Sequence, residues 1–184
     1  MSLTKWSLDP THSEVTFKIK HLMISTVTGH FKKFSLEGET ETSDFNTANK
    51  IEFTADVDSI DTNNEQRDAH LKSADFFNIE KNPQIHFTGK KYEIDGDEGT
   101  LSGDLTIAGI TKSITLNLEF GGIVVDPYGQ TKAGFTVTGK INRKDFGITY
   151  NSALEAGGVL LGDEIKINAE IQLVKQVQEE ALVA

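Results

Sequence analysis

The feature that most constrains this chain is a two-residue hydrophobic period sustained over long stretches. Ala133, Phe135, Val137, Gly139 and Ile141 alternate with Gly134, Thr136, Thr138 and Lys140. Ile165, Ile167, Ala169, Ile171 and Leu173 alternate with charged or amide residues. Successive side chains of a strand point to opposite sides, so each such stretch has one apolar and one polar face. Val15, Phe17 and Ile19 read the same way, as do Ile51, Phe53, Ala55 and Val57. So do Ile85 with Phe87, Leu101 with Leu105 and Ile107, and Ile114 with Leu116, Leu118 and Phe120. One-faced strands predict antiparallel pairing with one wet side. Alternation alone fits both a two-sheet sandwich and a closed barrel. Length favours the barrel: several stretches run about 10–12 residues against ~5–6 for a typical strand, and long tilted strands suit an up-and-down barrel. The expectation is an all-β fold in one domain of 184 residues. It is an extended antiparallel barrel of about eight strands, plus a short N-terminal strand. Such a barrel encloses either packed side chains or one elongated ligand, and both readings stay open.

Two regions break the period. In residues 28–41 the apolar set moves from Phe31 to Phe34 and Leu36, a change of parity that a β-bulge would produce. Residues 63–78, "NNEQRDAHLKSADFFN", carry no alternation. Thr62 followed by Glu65 fits a capping box, and residues 63–73 hold no Gly or Pro, which predicts a short helix. Its apolar content is thin (Ala69, Leu71, Ala74), so it is expected outside the barrel or across an opening, anchored by Phe76 and Phe77. Turn clusters stand at 95–99 and 126–130, and 176–184 read as a loose tail.

The chain carries 28 acidic and 18 basic residues, for a net charge of −10. A negative surface repels phosphate backbones and anionic bilayers, which argues against a nucleic-acid partner. No apolar run approaches the ~18 residues of a membrane-spanning helix. The absence of cysteine removes disulfides, thiolate nucleophiles and Cys-ligated zinc. The N-terminus shows no charged region followed by an apolar one, so a cytoplasmic location is expected, or a periplasmic one if a signal was removed.

The five histidines (His12, His21, His30, His70, His86) show no metal-ligand spacing, and no metal or other cofactor is expected. His86, between Ile85 and Phe87, faces outward. Asp9, His12 and Ser13 lie close together but lack an oxyanion-hole motif, and Asp9-Pro10 reads as a turn between strands. Arg67, Asp68, His70 and Asp75 could supply acid–base groups, with Arg67 and His70 on one helical face. The preferred reading is a polar network tying the helix to a barrel rim. "INRKDFGI" (141–148) puts Arg143 at a strand end, either as a rim charge meeting a ligand head group or in a turn salt-bridged to Asp145. "EAGGVLLGDE" (155–164) lacks the Lys of a phosphate loop and precedes a strand, so it reads as an apolar loop at the barrel mouth.

Six ordered blocks carry a resemblance: "LDPTHSEVTFKIKHLMISTVTGHFKKF" (8–34), "RDAHLKSADFFN" (67–78), "NPQIHFTG" (82–89), "GDLTIAGITKSITL" (103–116), "INRKDFGI" (141–148) and "LLGDEIKI" (160–167). Together they resemble the YceI-like family and cover most of the chain. The resemblance implies a lipocalin-like barrel with a long apolar tunnel. It implies a carrier of an amphiphilic long-chain ligand, a polyisoprenoid, isoprenoid quinone or fatty-acid derivative, often working as a homodimer. It supplies no catalytic residues, and a non-enzyme is expected. The ligand-binding candidates are the inward positions Phe17, Ile19, Phe31, Phe53, Val57, Phe87, Leu105, Ile107, Leu116, Leu118, Phe135, Val137 and Ile141. Arg67, His70, Phe76, Phe77 and Arg143 are the rim or cap candidates. The helix and the Gly157–Gly162 loop are expected at the barrel ends.

Overall fold

The structure, a computed structural model, describes residues 3–41, 45, 48–152 and 160–176. The described strands are β1 (Thr4–Leu8), β2 (Glu14–His21), β3 (Ser25–Phe31), β4 (Phe34–Thr40), β5 (Ala48–Asp56) and β6 (Ile60–Asp61), followed by the helix α1 (Glu65–Lys72). Then come β7 (Gln84–Asp95), β8 (Glu98–Ile107), β9 (Ile110–Val125), β10 (Thr131–Asn142) and β11 (Leu161–Lys175). β7 to β11 follow one another as a meander, each antiparallel to the last. β11 then pairs with both β2 (Ile165 opposite Ile19) and β1 (Trp6 opposite Lys175), which closes the sheet on itself. A closed sheet leaves no long edge to aggregate.

The first six strands are three long strands, each broken once. β1 and β2 share a lane beside β11. β3 and β4 form the next lane, against β2 and β1. β5 and β6 form the third, against β4 and β3. Three broken lanes and five unbroken ones make the eight positions of the barrel.

The expected single strand over 28–41 with a bulge is therefore two strands, and the parity change falls at Lys32–Lys33. The cause extends beyond that strand. The first lane breaks at a 3-10 helix over Pro10–His12, and the third at one over Val57–Ser59. Lys32 N–H donates to Ser59 O (3.1 Å), and Asp56 N–H donates to Lys33 O (2.9 Å). The three breaks are neighbours, so the wall is creased across three lanes at one level.

The inward rows contain glycines where a neighbour needs the space. A Cβ on Gly29 would stand 2.2 Å from the tip of Phe17, and one on Gly139 would stand 2.5 Å from a methyl of Leu116. The small residue opposite each large side chain lets the interior interdigitate.

The two ends of the barrel differ. At the end holding β1 and the β9–β10 turn, aromatic rings fill the bore. Trp6 lies 4.7 Å from Phe45 between ring centroids, Phe45 lies 4.8 Å from Phe135, and Phe120 lies 5.0 Å from Phe135. Trp6 Nε1–H donates to Thr40 Oγ1 at 3.2 Å, which satisfies the polar atom of this buried ring. This is the closed end. α1 and the strand-connecting segments 73–83 and 143–150 gather at the opposite, open end.

Candidate functional site

Between the aromatic plug and α1 lies a cavity of about 410 Å³. That falls in the usual range of ~300–1,000 Å³ for small-molecule pockets. Ten of the thirteen expected inward residues line it: Phe17, Ile19, Phe31, Phe53, Phe87, Leu105, Ile107, Leu116, Val137 and Ile141. The other three do not. Leu118 and Phe135 each sit one inward step nearer the closed end, where Phe135 packs on Phe45 and Phe120. Val57 lies in the 3-10 helix at the crease and is packed out of reach. Alternation identifies the inward row but not the level at which packed core gives way to space.

The five expected rim residues, Arg67, His70, Phe76, Phe77 and Arg143, also line the cavity, all toward the open end. α1 lies across this end. It runs Glu65–Lys72, shorter than the expected 63–73, and its N-cap is Asn64, whose side chain accepts from Arg67 N–H. The Thr62–Glu65 capping box does not form, because Thr62 is occupied elsewhere. Its N–H and hydroxyl both donate to Asp68 Oδ1, at 2.9 and 2.6 Å. Arg67 Nε–H donates back to Thr62 Oγ1 at 2.7 Å, and Arg67 Nη2 donates to Thr62 O. This is the polar network expected to tie the helix to the rim, centred on a threonine only 3% exposed.

The aromatic anchors close the helix from below. Phe77 meets Phe31 edge-on at 6.3 Å, while Phe76 lies 5.0 Å from the His70 ring and 5.1 Å from Tyr150. His70 also meets Tyr150 edge-on at 4.9 Å, and its Nε2 lies 2.9 Å from Asp75 Oδ2. The helix is thus joined to the far rim through His70 and Tyr150. No sequence signal linked those two positions, which are eighty residues apart in the chain.

Arg143 departs most from expectation. The expected turn salt bridge to Asp145 does not form. Arg143 is 1% exposed, in a 3-10 helix over Arg143–Phe146 whose C-cap Gly147 takes φ 73°. Nε–H donates to Gly162 O (2.9 Å), and Nη1 donates to Ile148 O (3.1 Å) and Tyr150 O (2.7 Å). Among the described residues, its nearest acidic group is Asp163, 3.7 Å from Nη2, and Nη2 makes no hydrogen bond. Burial draws the guanidinium pKa down from its ordinary value, and Asp163 opposes that shift. A guanidinium stays protonated at neutral pH regardless.

The other chemical candidates are engaged structurally. Asp9 receives Lys132 Nζ–H at 2.5 Å, and the Lys132 ammonium holds the Asp9 carboxyl far below the usual carboxylate range. His12 Nδ1 lies 2.9 Å from the same carboxylate oxygen, Asp9 Oδ2, while Ser13 Oγ is joined to the Gln172 backbone. Lys132 was not singled out from sequence, since its position in the alternation is an outward one. His86 is exposed and pairs with Thr54 at 3.1 Å. Among the described residues, no three His, Asp or Glu side chains converge as a metal site, and no helix is long and apolar enough to cross a membrane. An outer groove of about 680 Å³ follows the crease; within it Lys32 pairs with Asp61 at 2.9 Å and Asp56 accepts from Gln84 at 3.2 Å. Of the Gly157–Gly162 loop, residues 157–159 lie outside the described residues, as do 177–184 of the expected tail. Leu160 and Leu161 line the cavity.

The description "YceI-like domain" matches residues 6–173. The chain belongs to the YceI-like family. A UPF0312 protein of Staphylococcus epidermidis is 44% identical over 171 residues, which is 92% of this chain and 97% of that protein. The crystal structure of the Campylobacter jejuni YCEI protein is 39% identical, with a TM-score of 0.74 over 92% of this chain and 97% of that one. A polyisoprenoid binding domain from Saccharophagus degradans has the same fold at 14% identity, with a TM-score of 0.67 over 93% of this chain and 98% of that one. This YceI-like barrel is thus a closed eight-lane wall with an aromatic plug at one end and a polar, helix-covered mouth at the other.

Proposed function

We propose that this protein carries a single long-chain amphiphile, an isoprenoid or acyl lipid, with its tail in the barrel. The observation that carries the proposal is the cavity itself: a volume of about 410 Å³ walled by Phe, Ile, Leu and Val, with its polar groups gathered toward one end. Each buried CH₂ contributes about 0.8 kcal/mol, so an extended chain binds well there with few polar contacts. A globular ligand would leave the length of the bore unfilled. The description of the Saccharophagus degradans barrel as polyisoprenoid binding supports the same ligand class. The protein holds its ligand and does not transform it. Asp9, His12 and Ser13 are bound up in structural contacts outside the cavity, and His70 serves as a packing surface between Phe76 and Tyr150.

Native mass spectrometry after gentle purification tests the reading. The expected result is one long-chain lipid per barrel, recovered chemically unchanged after incubation. Ile167→Trp, which fills the bore from β11, is expected to abolish binding with the fold intact. A barrel that comes out empty and takes up no prenyl or acyl chain overturns the proposal.

A further inference from the structure

We infer that the open end docks on the surface of an anionic lipid bilayer, through the β2–β3 turn and a row of lysines on the wall behind it. This goes beyond the carrier reading: it says where a ligand is exchanged rather than what is held.

Two independent observations carry it. The first is the row of lysines. Lys140 stands opposite Lys166 across β10 and β11, and Lys166 stands opposite Lys18 across β11 and β2. All three are exposed on the outer wall, since their neighbours Ile141, Ile165, Ile167, Phe17 and Ile19 line the cavity. Like charges directly opposite one another destabilise a sheet. Among the described residues none of the three makes an ion pair, unlike Lys32, Lys72, Lys90, Lys132 and Lys144. The next outward row toward the closed end is neutral: Thr138, Asn168 and Thr16. At the mouth end of β11, Asp163 is taken by Lys144 at 3.3 Å, and Glu164 makes no ion pair among the described residues. In a chain of net charge −10 this wall is a patch of the opposite sign, so the repulsion expected from the net charge does not hold here.

The second observation is the turn. Beyond the exposed Lys20 the chain reverses through Leu22, Met23 and Ile24, with Met23 58% and Ile24 83% exposed. Leu22 N–H donates to the carbonyl of Leu160, a residue of the cavity wall, so the turn is fixed to the mouth. Apolar side chains that enter the acyl boundary, with ammonium groups level with the phosphates, are what a bilayer surface recognises. A second copy of this chain fits less well, because a three-residue tip is far smaller than the ~800 Å² per partner of a stable interface. The closed end also exposes apolar residues, Val124, Val125 and Tyr128, but Asp126 stands among them and the neighbouring Lys132 is bound to Asp9.

Vesicle flotation tests the docking surface, with phosphatidylcholine alone and with an equal mixture of phosphatidylcholine and phosphatidylglycerol. Wild type is expected to float with the mixed vesicles at low salt, and far less with phosphatidylcholine alone or at high salt. Lys18→Gln/Lys166→Gln is expected to lose about fivefold in affinity per charge removed, and Ile24→Ser roughly tenfold or more. The closed-end controls Lys5→Gln/Lys50→Gln and Val125→Ser are expected to bind as wild type. All these side chains are exposed, and circular dichroism checks that each variant is folded. Absence of flotation, or a loss in the controls as large as at the mouth, overturns the docking surface. So does a dimer in sedimentation that ignores vesicles and that Ile24→Ser converts to monomers, since the turn then belongs to a second copy. Displacement of a fluorescent apolar dye by hexadecanoate reads the cavity separately. Uptake of the chain without flotation overturns the docking surface alone, and flotation without uptake of any chain overturns the carrier reading alone.

Discussion

At the closed end of the barrel, Lys132 reaches Asp9 at 2.5 Å and has Asp126 at 3.9 Å behind it. At the open end, Arg143 has Asp163 no nearer than 3.7 Å and a nitrogen with no hydrogen bond. Both cations are nearly sealed from water, yet one has a carboxylate at hydrogen-bond distance and the other does not. The turns at the two ends follow the same division. Around the closed end, the left-handed positions of the 95–98 and 126–130 turns fall on glycine, Gly96 at φ 67° and Gly129 at φ 81°. At the open end Gly109 and Gly147 are left-handed too, at φ 81° and 73°, but so are residues with side chains: Leu22 and Met23 take φ 55° and 60°, and Ala108 takes 51°. Side chains with a Cβ are strained there by roughly 1–2 kcal/mol each. The comparison teaches that the closed end is built to stay shut, while the unpaired donor and the strain collect around the cavity mouth.

The largest expected effect is therefore at the closed end. Lys132→Met leaves the Asp9 carboxylate buried without its cation and is expected to cost about 3–5 kcal/mol, read by denaturant unfolding. The double variant Lys132→Met/Asp9→Leu is expected to recover most of that loss. The pH dependence has a definite sign. The folded-state pKa of Asp9 is depressed, chiefly by Lys132, so the pair's stabilisation is fully present above the unfolded carboxylate pKa of about 3.9 and is lost as pH falls toward the folded value. The stability gap between wild type and Lys132→Met should hold from neutrality down to roughly pH 4 and shrink below it. A gap that closes already between pH 7 and 5 would contradict this account.

A matched pair of aromatic truncations spans from a comparable effect to a smaller one. Phe135→Ala empties the plug and is expected to cost about 3–5 kcal/mol, since its neighbours Phe45 and Phe120 cannot collapse into the void. Phe17→Ala removes a half-buried ring that already borders open space, so its cost should be nearer about 1–2 kcal/mol, the transfer value with little added cavity. Its effect should appear instead in ligand affinity. Equal stability losses at the two positions would mean that the bore near Phe17 is as tightly packed as the plug, and the distinction between the ends would fail.

Much of the barrel was legible before any coordinates, because a period of two over long segments leaves few ways to bury one face. The lanes, the capping helix and its Phe76–Phe77 anchors follow from local pattern. What escaped was everything set by the meeting of distant segments. Thr62 looked like a helix cap because the residue three places on is Glu65, yet Asp68 and Arg67 take it up in three dimensions. Arg143 looked like a rim charge because charged residues follow it, but the carbonyls that bury it come from residues 148, 150 and 162. Phe135 and Val137 belong to one alternating row, yet only Val137 lines the cavity. Where a bore is filled depends on which rings converge from other lanes, and Phe45 reaches Phe135 from the connection between β4 and β5. Periodicity carries no record of that convergence.

The smallest expected effect has the opposite sign, and so isolates the strain at the open end. The β2–β3 turn joins His21 to Ser25 through Leu22, Met23 and Ile24; Ile24 N–H closes on His21 O around Leu22 and Met23, both in the left-handed region, where Asn-Gly is the favoured pair. Leu22→Asn/Met23→Gly should relieve the Cβ strain without breaking a strand pairing. A stabilisation of about 1 kcal/mol is expected, after the greater freedom of glycine in the unfolded chain is subtracted. The same exchange cannot help at the closed end, where Gly96 and Gly129 already occupy the left-handed positions. Thermal unfolding reads the stability. Dye displacement by hexadecanoate reads whether the mouth still works. Met23 is 58% exposed and Ile24 is 83% exposed beside Leu161 of the cavity wall. If the variant is more stable and binds as before, the strained turn is incidental to the cavity. If it gains stability and loses affinity, the apolar turn is part of the mouth, and the asymmetry between the two ends extends from electrostatics to the backbone.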